Sequence, residues 1–392
     1  MTEFVCAECG RESDNSSGFD RCVCGGPLEY LSLIRRGSRI SLDTGCLLID
    51  FSDFLPPLRY DSSVSLGEGR TPLISCEGPE LEGFKVLLKN ETVNPTWSFK
   101  DRGTYLTLLD AIKRGFSRFG TVSTGNMAAS VAAYGARAGL DTSVLVSADI
   151  PDEKIRPITV YGPRVARVKG DYSDLFYKSI GSASSWGVYF SNSDVSMRVE
   201  GSKTIAFEIF LQLGEKVPDY VIVPTSSGGN IRGIEKGFRE LREARLTERT
   251  PTMIAVQASG CSPIHQAFQN GRESVERFHN PSTIAHAIEN PLPPSGNSVL
   301  KMLRRNGGTT IAVDEEDIIQ AQQRLALRGF FVQPASATSL AAIEKLKKLG
   351  SLNGSTVVSI LTGSGLKYPS ALDKHPAQVI DVSIDSLDSL FR

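Results

Sequence analysis

The stretch Asn94-Pro95-Thr96-Trp97-Ser98-Phe99-Lys100-Asp101-Arg102-Gly103 sets a lysine between an aromatic residue and an acidic–basic pair, in a turn leading into a helix. A lysine amine is almost wholly protonated at neutral pH, so it is a poor nucleophile unless tied up as an imine. This is a setting in which a protein holds an aldehyde cofactor as a Schiff base. Taken alone, Lys100 reads as an exposed lysine capping the preceding element. Its companions reverse that reading.

Four Gly- or Ser-rich segments follow: Ser123-Thr124-Gly125-Asn126, Ser226-Ser227-Gly228-Gly229-Asn230, Pro334-Ala335-Ser336-Ala337 and Thr362-Gly363-Ser364-Gly365. The first follows an expected strand and opens an expected helix. Glycine there permits close backbone approach, and the first helical N–H groups offer an anion the positive end of the helix dipole. The Asn126 amide suits a phenolate oxygen; a plain N-cap turn is the alternative. In the second segment, successive N–H groups and two hydroxyls can cradle a phosphate. It matches neither the P-loop nor the Gly-x-Gly-x-x-Gly dinucleotide pattern. Thr362 falls at the carboxyl end of an expected strand, where open α/β sheets place ligands. A hydroxyl there can hydrogen-bond a ring nitrogen, though a simple strand-to-helix turn reads equally well. A phosphorylated aldehyde with a ring nitrogen and a phenolate is pyridoxal phosphate, which serves as an electron sink.

The elements that must position these groups read as α/β. Candidate strands are Val86–Leu88, Gly120–Ser123, Thr142–Val146, Val165–Val168, Tyr220–Val223, Thr252–Gln257 and Thr356–Leu361. Candidate helices are Arg102–Arg114, Asn126–Ala138, Lys203–Leu213, Asp314–Leu327 and Ser339–Leu349. Alternation of this kind implies parallel strands with helical crossovers. Asp314 is expected to cap its helix, with acidic residues in the first turn and Gly329 just past the end. The Gly-, Pro- and Ser-rich stretch from about 258 to 308 is long for a structureless loop, so it is expected to carry short helices or cover a site.

A chain of 392 residues has room for two or three domains and a large core. A net charge of −1 argues against binding nucleic acid by broad electrostatics. No apolar run approaches the ~20 residues of a membrane helix. The amino terminus lacks a basic region followed by an apolar core, so a cytoplasmic protein is expected. Cys6, Cys9, Cys22 and Cys24 stand close together, and without an export signal they read as a metal site rather than disulfides. Four thiolates suit structural Zn²⁺ and leave no open position. Cys-x-Cys in place of Cys-x2-Cys leaves a degenerate, empty ribbon as the alternative.

Together these segments resemble the fold-type II pyridoxal-phosphate enzymes, the tryptophan synthase β family, and within it the threonine synthases. The resemblance runs from about 66 to 370, and the cysteine segment extends it. Leu66 to Leu73 is similar to the family's Gly-Glu-Gly-x-Thr-Pro-Leu motif, Asn94 to Gly103 to its Schiff-base lysine motif, and Ser123 to Ser130 to its Ser-Thr-Gly-Asn-x-x-Ala-Ser motif. Ser191 to Thr204 is similar to a segment distinctive of threonine synthases.

The resemblance implies two open α/β domains with mostly parallel sheets, preceded by a zinc-ribbon-like segment. Residues 1–30 would form the ribbon, 31–105 and 206–392 the large cofactor-binding domain, and 106–205 a small mobile domain. The cofactor would be pyridoxal 5'-phosphate, and a filled ribbon would add a structural zinc. The reaction implied is conversion of O-phospho-L-homoserine and water to L-threonine and phosphate. Lys100 would be the Schiff-base and proton-transfer residue, Asn126 would bind the cofactor's 3-hydroxyl, Ser226, Ser227, Gly228, Gly229 and Asn230 its phosphate, and Thr362 its pyridine nitrogen. Asn192, Ser193 and Arg198 would hold the substrate phosphate, with Ser123 and Thr124 beside them. A homodimer is implied, acting on a small phosphorylated amino acid and partnering neither nucleic acid nor membrane. Trp97, Ser227 and Gln333 stand where relatives more often have Gly, Asn and Glu, and Trp97 is expected to narrow the site. Sister activities remain open, namely β-replacement on O-phosphoserine or threonine dehydration, as does a catalytically silent binding protein.

Overall fold

The computed structural model describes residues 3–14, 21–148, 152–170, 172–350, 354–375, 380 and 382–384. Six strands form the larger sheet, in the spatial order Thr309–Val313, Thr252–Ala258, Tyr220–Pro224, Thr356–Leu361, Lys85–Asn90, Leu73–Cys76. Every pairing is parallel except the last, where Leu73–Cys76 runs antiparallel to Lys85–Asn90. The smaller sheet is wholly parallel, in the order Arg164–Val168, Asp141–Ser147, Arg118–Val122, Val188–Phe190. A three-stranded antiparallel sheet, Glu12–Ser13, Phe4–Cys6 and Leu28–Tyr30, forms the cysteine-bearing module.

Alternate residues of the large sheet enter opposite cores, as the two-residue period of a strand requires. Val221 and Val223 pack on one face with the helices Lys100–Lys113, Ser196–Gln212 and Gly229–Glu243. Ile222, Val357 and Leu361 pack on the other with Glu315–Leu327 and Pro334–Lys348. No helix among the described residues is long and apolar enough to cross a membrane.

The expected strands all form, as does the helix from Asn126; the other helices differ at their starts. The helix expected from Lys203 begins at Ser196, because Gly201 serves packing rather than termination. A Cβ at Gly201 would lie 2.4 Å from the Arg102 carbonyl oxygen, so only glycine lets these two helices approach so closely. The helix expected from Ser339 begins at Pro334, a first-turn position proline favours. Asp314 occupies the N-cap position but makes no side-chain capping bond; its neighbour Glu315 instead accepts the Ile284 N–H at 2.8 Å. The 258–308 stretch carries the helices Pro263–Gln269 and Gly296–Asn306 and a 3₁₀ turn, His286–Ile288.

The helix that begins with Lys100 is fixed by buried charge. The Arg102 guanidinium meets Glu91 at 2.7 Å and Glu208 at 2.6 Å, and Lys89 meets Glu208 at 2.6 Å, all with 0% side-chain exposure. Burial alone would raise the Glu208 carboxyl, but Arg102 and Lys89 hold it down to about 2. Removing one member of such a network strands the others uncompensated, which typically costs ~3–5 kcal/mol. Arg102→Met is therefore expected to lower unfolding stability by about that amount, read from the urea midpoint at unchanged slope. A loss below about 1 kcal/mol would show that the network does not anchor the helix.

Candidate active site

A cavity of about 420 Å³ lies where the carboxyl ends of strands from both sheets converge. Its size falls in the usual range for small-ligand sites. Lys100, Ser123, Thr124, Asn126, Ser193, the run Ser226 to Asn230 and Thr362 all line it. Asn192 and Arg198 do not. The Asn192 amide is committed behind the wall, accepting the Val122 N–H at 3.0 Å and donating to Ser179 at 3.0 Å. Arg198 donates to the hydroxyls of Thr104 and Ser191, each at 2.9 Å, and to the Lys100 carbonyl at 3.1 Å.

Lys100 opens its helix from a turn that is itself strapped to the last strand of the large sheet. The Phe99 N–H donates to the Thr362 carbonyl at 3.1 Å, and Ser98 bridges to Gly363. Asp101 ties the turn down from the other side, accepting the Thr96 N–H and the hydroxyls of Thr96 and Ser130, each at 2.6 Å. The Lys100 ammonium lies 4.5 Å from the Phe99 ring centroid. Burial pushes its pKa down to about 7; the Arg198 charge adds to the fall and Asp194 opposes it. An amine in that range is a working base or nucleophile at neutral pH.

Trp97 does not narrow the cavity. Its backbone sits at φ 63° and its side chain is 51% exposed, outside the lining residues. The left-handed backbone is one that glycine adopts freely, and a side chain there is strained by about 1 kcal/mol or more.

Gly228 adopts φ 97° and opens the helix Gly229–Glu243, which has no side-chain cap. First-turn N–H groups have no partner within a helix, and here they belong to residues that line the cavity. Ser227 is set from both sides: Ser193 donates to its hydroxyl at 2.9 Å and the Asn290 amide at 3.2 Å. Both side-chain polar atoms of Asn230 are buried with no partner among the described residues. On the opposite wall the Thr362 and Ser336 hydroxyls meet at 2.9 Å, and the Asn126 amide donates to Gln333 at 3.0 Å. An uncapped helix end, orphaned amide atoms, a strand-end hydroxyl and a near-neutral amine in one cavity fit pyridoxal phosphate group by group.

Sequence reasoning missed Asn290 and the His286-to-Asn290 wall, whose only signal was the composition of the 258–308 stretch. It also missed Lys154 and Lys367, which line the cavity with no motif around them. Burial lowers the Lys367 pKa to about 8 against the opposing charge of Asp101, and its ammonium donates to the Thr96 carbonyl at 2.7 Å.

The four expected metal ligands also converge. Ligand sulfurs of Cys6, Cys9, Cys22 and Cys24 all lie within 4.8 Å of one another, with Cys6–Cys24 at 3.5 Å and Cys9–Cys22 at 3.6 Å. All are free thiols. A tetrahedron with ~2.3 Å zinc–sulfur arms has edges of roughly 3.8 Å, so the arrangement fits a four-thiolate zinc site.

Comparison with known proteins agrees with this geometry. The family model "Pyridoxal-phosphate dependent enzyme" matches residues 64–363. The chain is 38% identical over 390 residues to the threonine synthase of Methanocaldococcus jannaschii, covering 97% of this chain and 96% of that one. It is 37% identical to the threonine synthase of Halalkalibacterium halodurans, covering 84% of this chain and 93% of that one. Among solved structures, maize serine racemase superposes with a TM-score of 0.67 at 22% identity, over 78% of this chain and 91% of that one. The L-serine ammonia-lyase of Rhizomucor miehei gives 0.65 at 21%, over 78% and 97%. At those identities the structural likeness shows the fold alone.

The depressed pKa of Lys100 makes a direct prediction. Modification of Lys100 by a small amine-selective reagent, followed by mass spectrometry on the cofactor-free protein, should rise tenfold per pH unit up to about pH 7 and then level, since only the neutral amine reacts. Arg198→Met removes a cation that disfavours the ammonium, so the inflection should move to higher pH. An inflection near 10 in the unaltered protein would show that the amine is not perturbed.

Proposed function

The chain belongs to the pyridoxal-phosphate dependent enzymes and, within them, to the threonine synthases; from that premise we propose that it converts O-phospho-L-homoserine and water to L-threonine and inorganic phosphate. The observation that carries the reading is the near-neutral Lys100 amine facing an uncapped helix end and a strand-end hydroxyl across one cavity.

Lys100 would hold the cofactor through its Nζ. Asn126 would meet the 3-hydroxyl, Ser226 to Asn230 the phosphate, and Thr362 the pyridine nitrogen. When bound, the cofactor supplies an electron sink for negative charge developing at the substrate's Cα. A hydroxyl such as that of Thr362, in place of a carboxylate, would hydrogen-bond that nitrogen without giving it a full proton. The Lys100 amine takes the Cα proton, a second proton leaves Cβ and phosphate departs from Cγ. A proton delivered to Cγ makes the methyl group, water then adds at Cβ, and a proton returned to Cα completes threonine.

Ser123, Thr124 and Ser193 are the direct substrate contacts in this reading. Asn192 and Arg198 act from behind the wall, the first by fixing the segment that carries Ser193 and the second by holding the Lys100 carbonyl and keeping the amine neutral. Hydroxyl and N–H donors aimed at the departing phosphate stabilise charge where it grows. The large unit is 31–105 with 206–392, and the small unit 106–205, which holds the four-stranded sheet, closes over the cavity and excludes water. The four thiolates hold a structural zinc. A homodimer in the cytoplasm belongs to the same reading, and light scattering at working concentration tests its oligomeric part.

The decisive assay supplies the reconstituted protein with O-phospho-L-homoserine, O-phosphoserine and threonine, and follows phosphate, threonine and 2-oxo acid. Threonine and phosphate should appear in equal amounts from the first substrate. Preferred turnover of either other substrate would replace the assignment with a sister activity, and a colourless protein with added cofactor would replace it with a silent relative. Lys100→Ala should lose at least about a thousandfold in turnover, while cofactor absorbance shifts from that of a lysine-bound to a free aldehyde.

A further inference from the structure

The four-cysteine module has no part in the chemistry above, yet one of its side chains reaches Asp194, the residue next to the cavity-lining Ser193. Arg21, the residue before Cys22, places one guanidinium nitrogen on the Asp194 carboxylate, whose side chain is only 3% exposed. Its other terminal nitrogen donates to the carbonyls of Pro294 at 3.0 Å and of Gly25, within the module, at 2.9 Å.

The two partners of Arg21 outside the module, Asp194 and Pro294, adjoin residues that set Ser227. Asp194 follows Ser193, which donates to the Ser227 hydroxyl at 2.9 Å. Pro294 precedes Ser295, whose N–H donates to the Ser227 carbonyl at 3.0 Å and whose hydroxyl meets Asp194 at 3.3 Å. Arg21 therefore ties together the two segments that grip Ser227, at the entrance to the helix opened by Gly228. The module is held against the same region at a second point. Glu8 accepts Lys301 through its carbonyl at 2.6 Å and Ser298 through its carboxylate at 3.3 Å, both on the helix Gly296–Asn306 that starts directly after Ser295.

We propose that the module is a metal-clasped brace on the cavity, in which Arg21 is the positioning residue that holds Asp194 and, through it, the Ser193–Ser227 wall. The inference rests on the reading that Ser226 to Asn230 cradle the cofactor's phosphate. A buried carboxylate needs a paired cation, and a planar guanidinium fork can bond two segments at once where a lysine's point charge cannot. Arg21 lies between two ligand pairs and makes its own bond to Gly25, one residue past Cys24. Its backbone position is thus fixed by the Cys9–Cys22 and Cys6–Cys24 clasps. Loss of the metal releases those clasps, because the site exists only while the ligands are gathered.

The test uses the full chain, unaltered and as Arg21→Met, each with bound zinc, after removal of zinc by a chelator, and after its return. Two readouts are taken: the pyridoxal-phosphate dissociation constant from absorbance, and hydrogen exchange of peptides spanning 190–200 and 225–235 in the cofactor-free protein. In the unaltered chain, stripping zinc should weaken cofactor binding about tenfold, speed exchange in both peptides, and be reversed by zinc. Arg21→Met should start weakened to that degree, keep its zinc and its circular dichroism, and be indifferent to stripping; Arg21→Lys should recover little. Unaltered affinity and exchange in Arg21→Met would overturn the proposal. So would an equal loss on stripping in both proteins, or a purified chain that takes up no zinc. If the unaltered chain binds no cofactor, it is the assignment of the phosphate cradle that fails, and the exchange data alone decide whether the brace exists.

Discussion

A guanidinium sealed from water between two carboxylates is the constraint on which the site depends. Arg102 cannot be buried without Glu91 and Glu208, and Glu208 in turn also accepts Lys89 and the backbone N–H groups of Arg70 and Thr71. The network thus joins a strand of the large sheet, the Gly-Glu-Gly-Arg-Thr-Pro turn, the lysine helix and the helix Ser196–Gln212. Its geometry leaves little freedom, since any shift that lengthens one bond exposes a charge that burial cannot tolerate. Lys100 lies two residues before Arg102 and inherits that fixity. Close helix approach follows from it too: Gly103 faces the Arg198 backbone and Gly201 faces the Arg102 carbonyl, so the arginine that touches Lys100 arrives on a helix clamped by the same network.

The charges around the lysine then set its chemistry by opposition. Burial and the Arg198 cation favour the neutral amine, while Asp194 favours the ammonium. Asp194 is itself engaged by Arg21 and the Ser295 hydroxyl. A carboxylate whose charge is satisfied elsewhere pulls less on the lysine. The same contact that shapes the wall therefore also helps to leave the amine unprotonated. Asp101 is spent on the turn: burial raises its pKa, and its oxygens are taken up by Thr96 and Ser130.

What could be read from the sequence is what local chemistry dictates. The lysine motif, the Ser-Thr-Gly-Asn turn, the glycine-opened helix and Thr362 each fall at a strand or helix end. Strand-end turns are legible because glycine and small hydroxyl residues there have few other uses. The cysteine spacing was legible for the same reason. Elements whose logic is tertiary were not. The helix expected from Lys203 starts at Ser196 and runs through Gly201, whose only use is the space that the Arg102 backbone needs. Trp97 looked like a plug because nothing local announces a positive φ. Asn192, Ser193 and Arg198 stood in one motif, yet only Ser193 lines the cavity: the Asn192 amide is held by Val122 and Ser179, and Arg198 lies beyond the helix start at Ser196.

That division has a physical consequence for how the site handles anions. Arg198 is spent on Thr104, Ser191 and the Lys100 carbonyl, so its guanidinium is not presented to the cavity. What the proposed cofactor cradle presents instead is neutral: helix N–H groups, the Ser226 and Ser227 hydroxyls and the Asn230 amide. Neutral donors bind an anion through oriented dipoles whose field falls off faster with distance than that of a point charge. They can therefore hold a phosphate in the same cavity as Lys100 without adding cations that would repel its proton further. An arginine turned toward Ser193 would bind the substrate's phosphate more tightly, but it would also hold on to a group that the proposed reaction must release. Placed behind the lysine, its charge tunes the base and leaves the exit of the product to groups that let go.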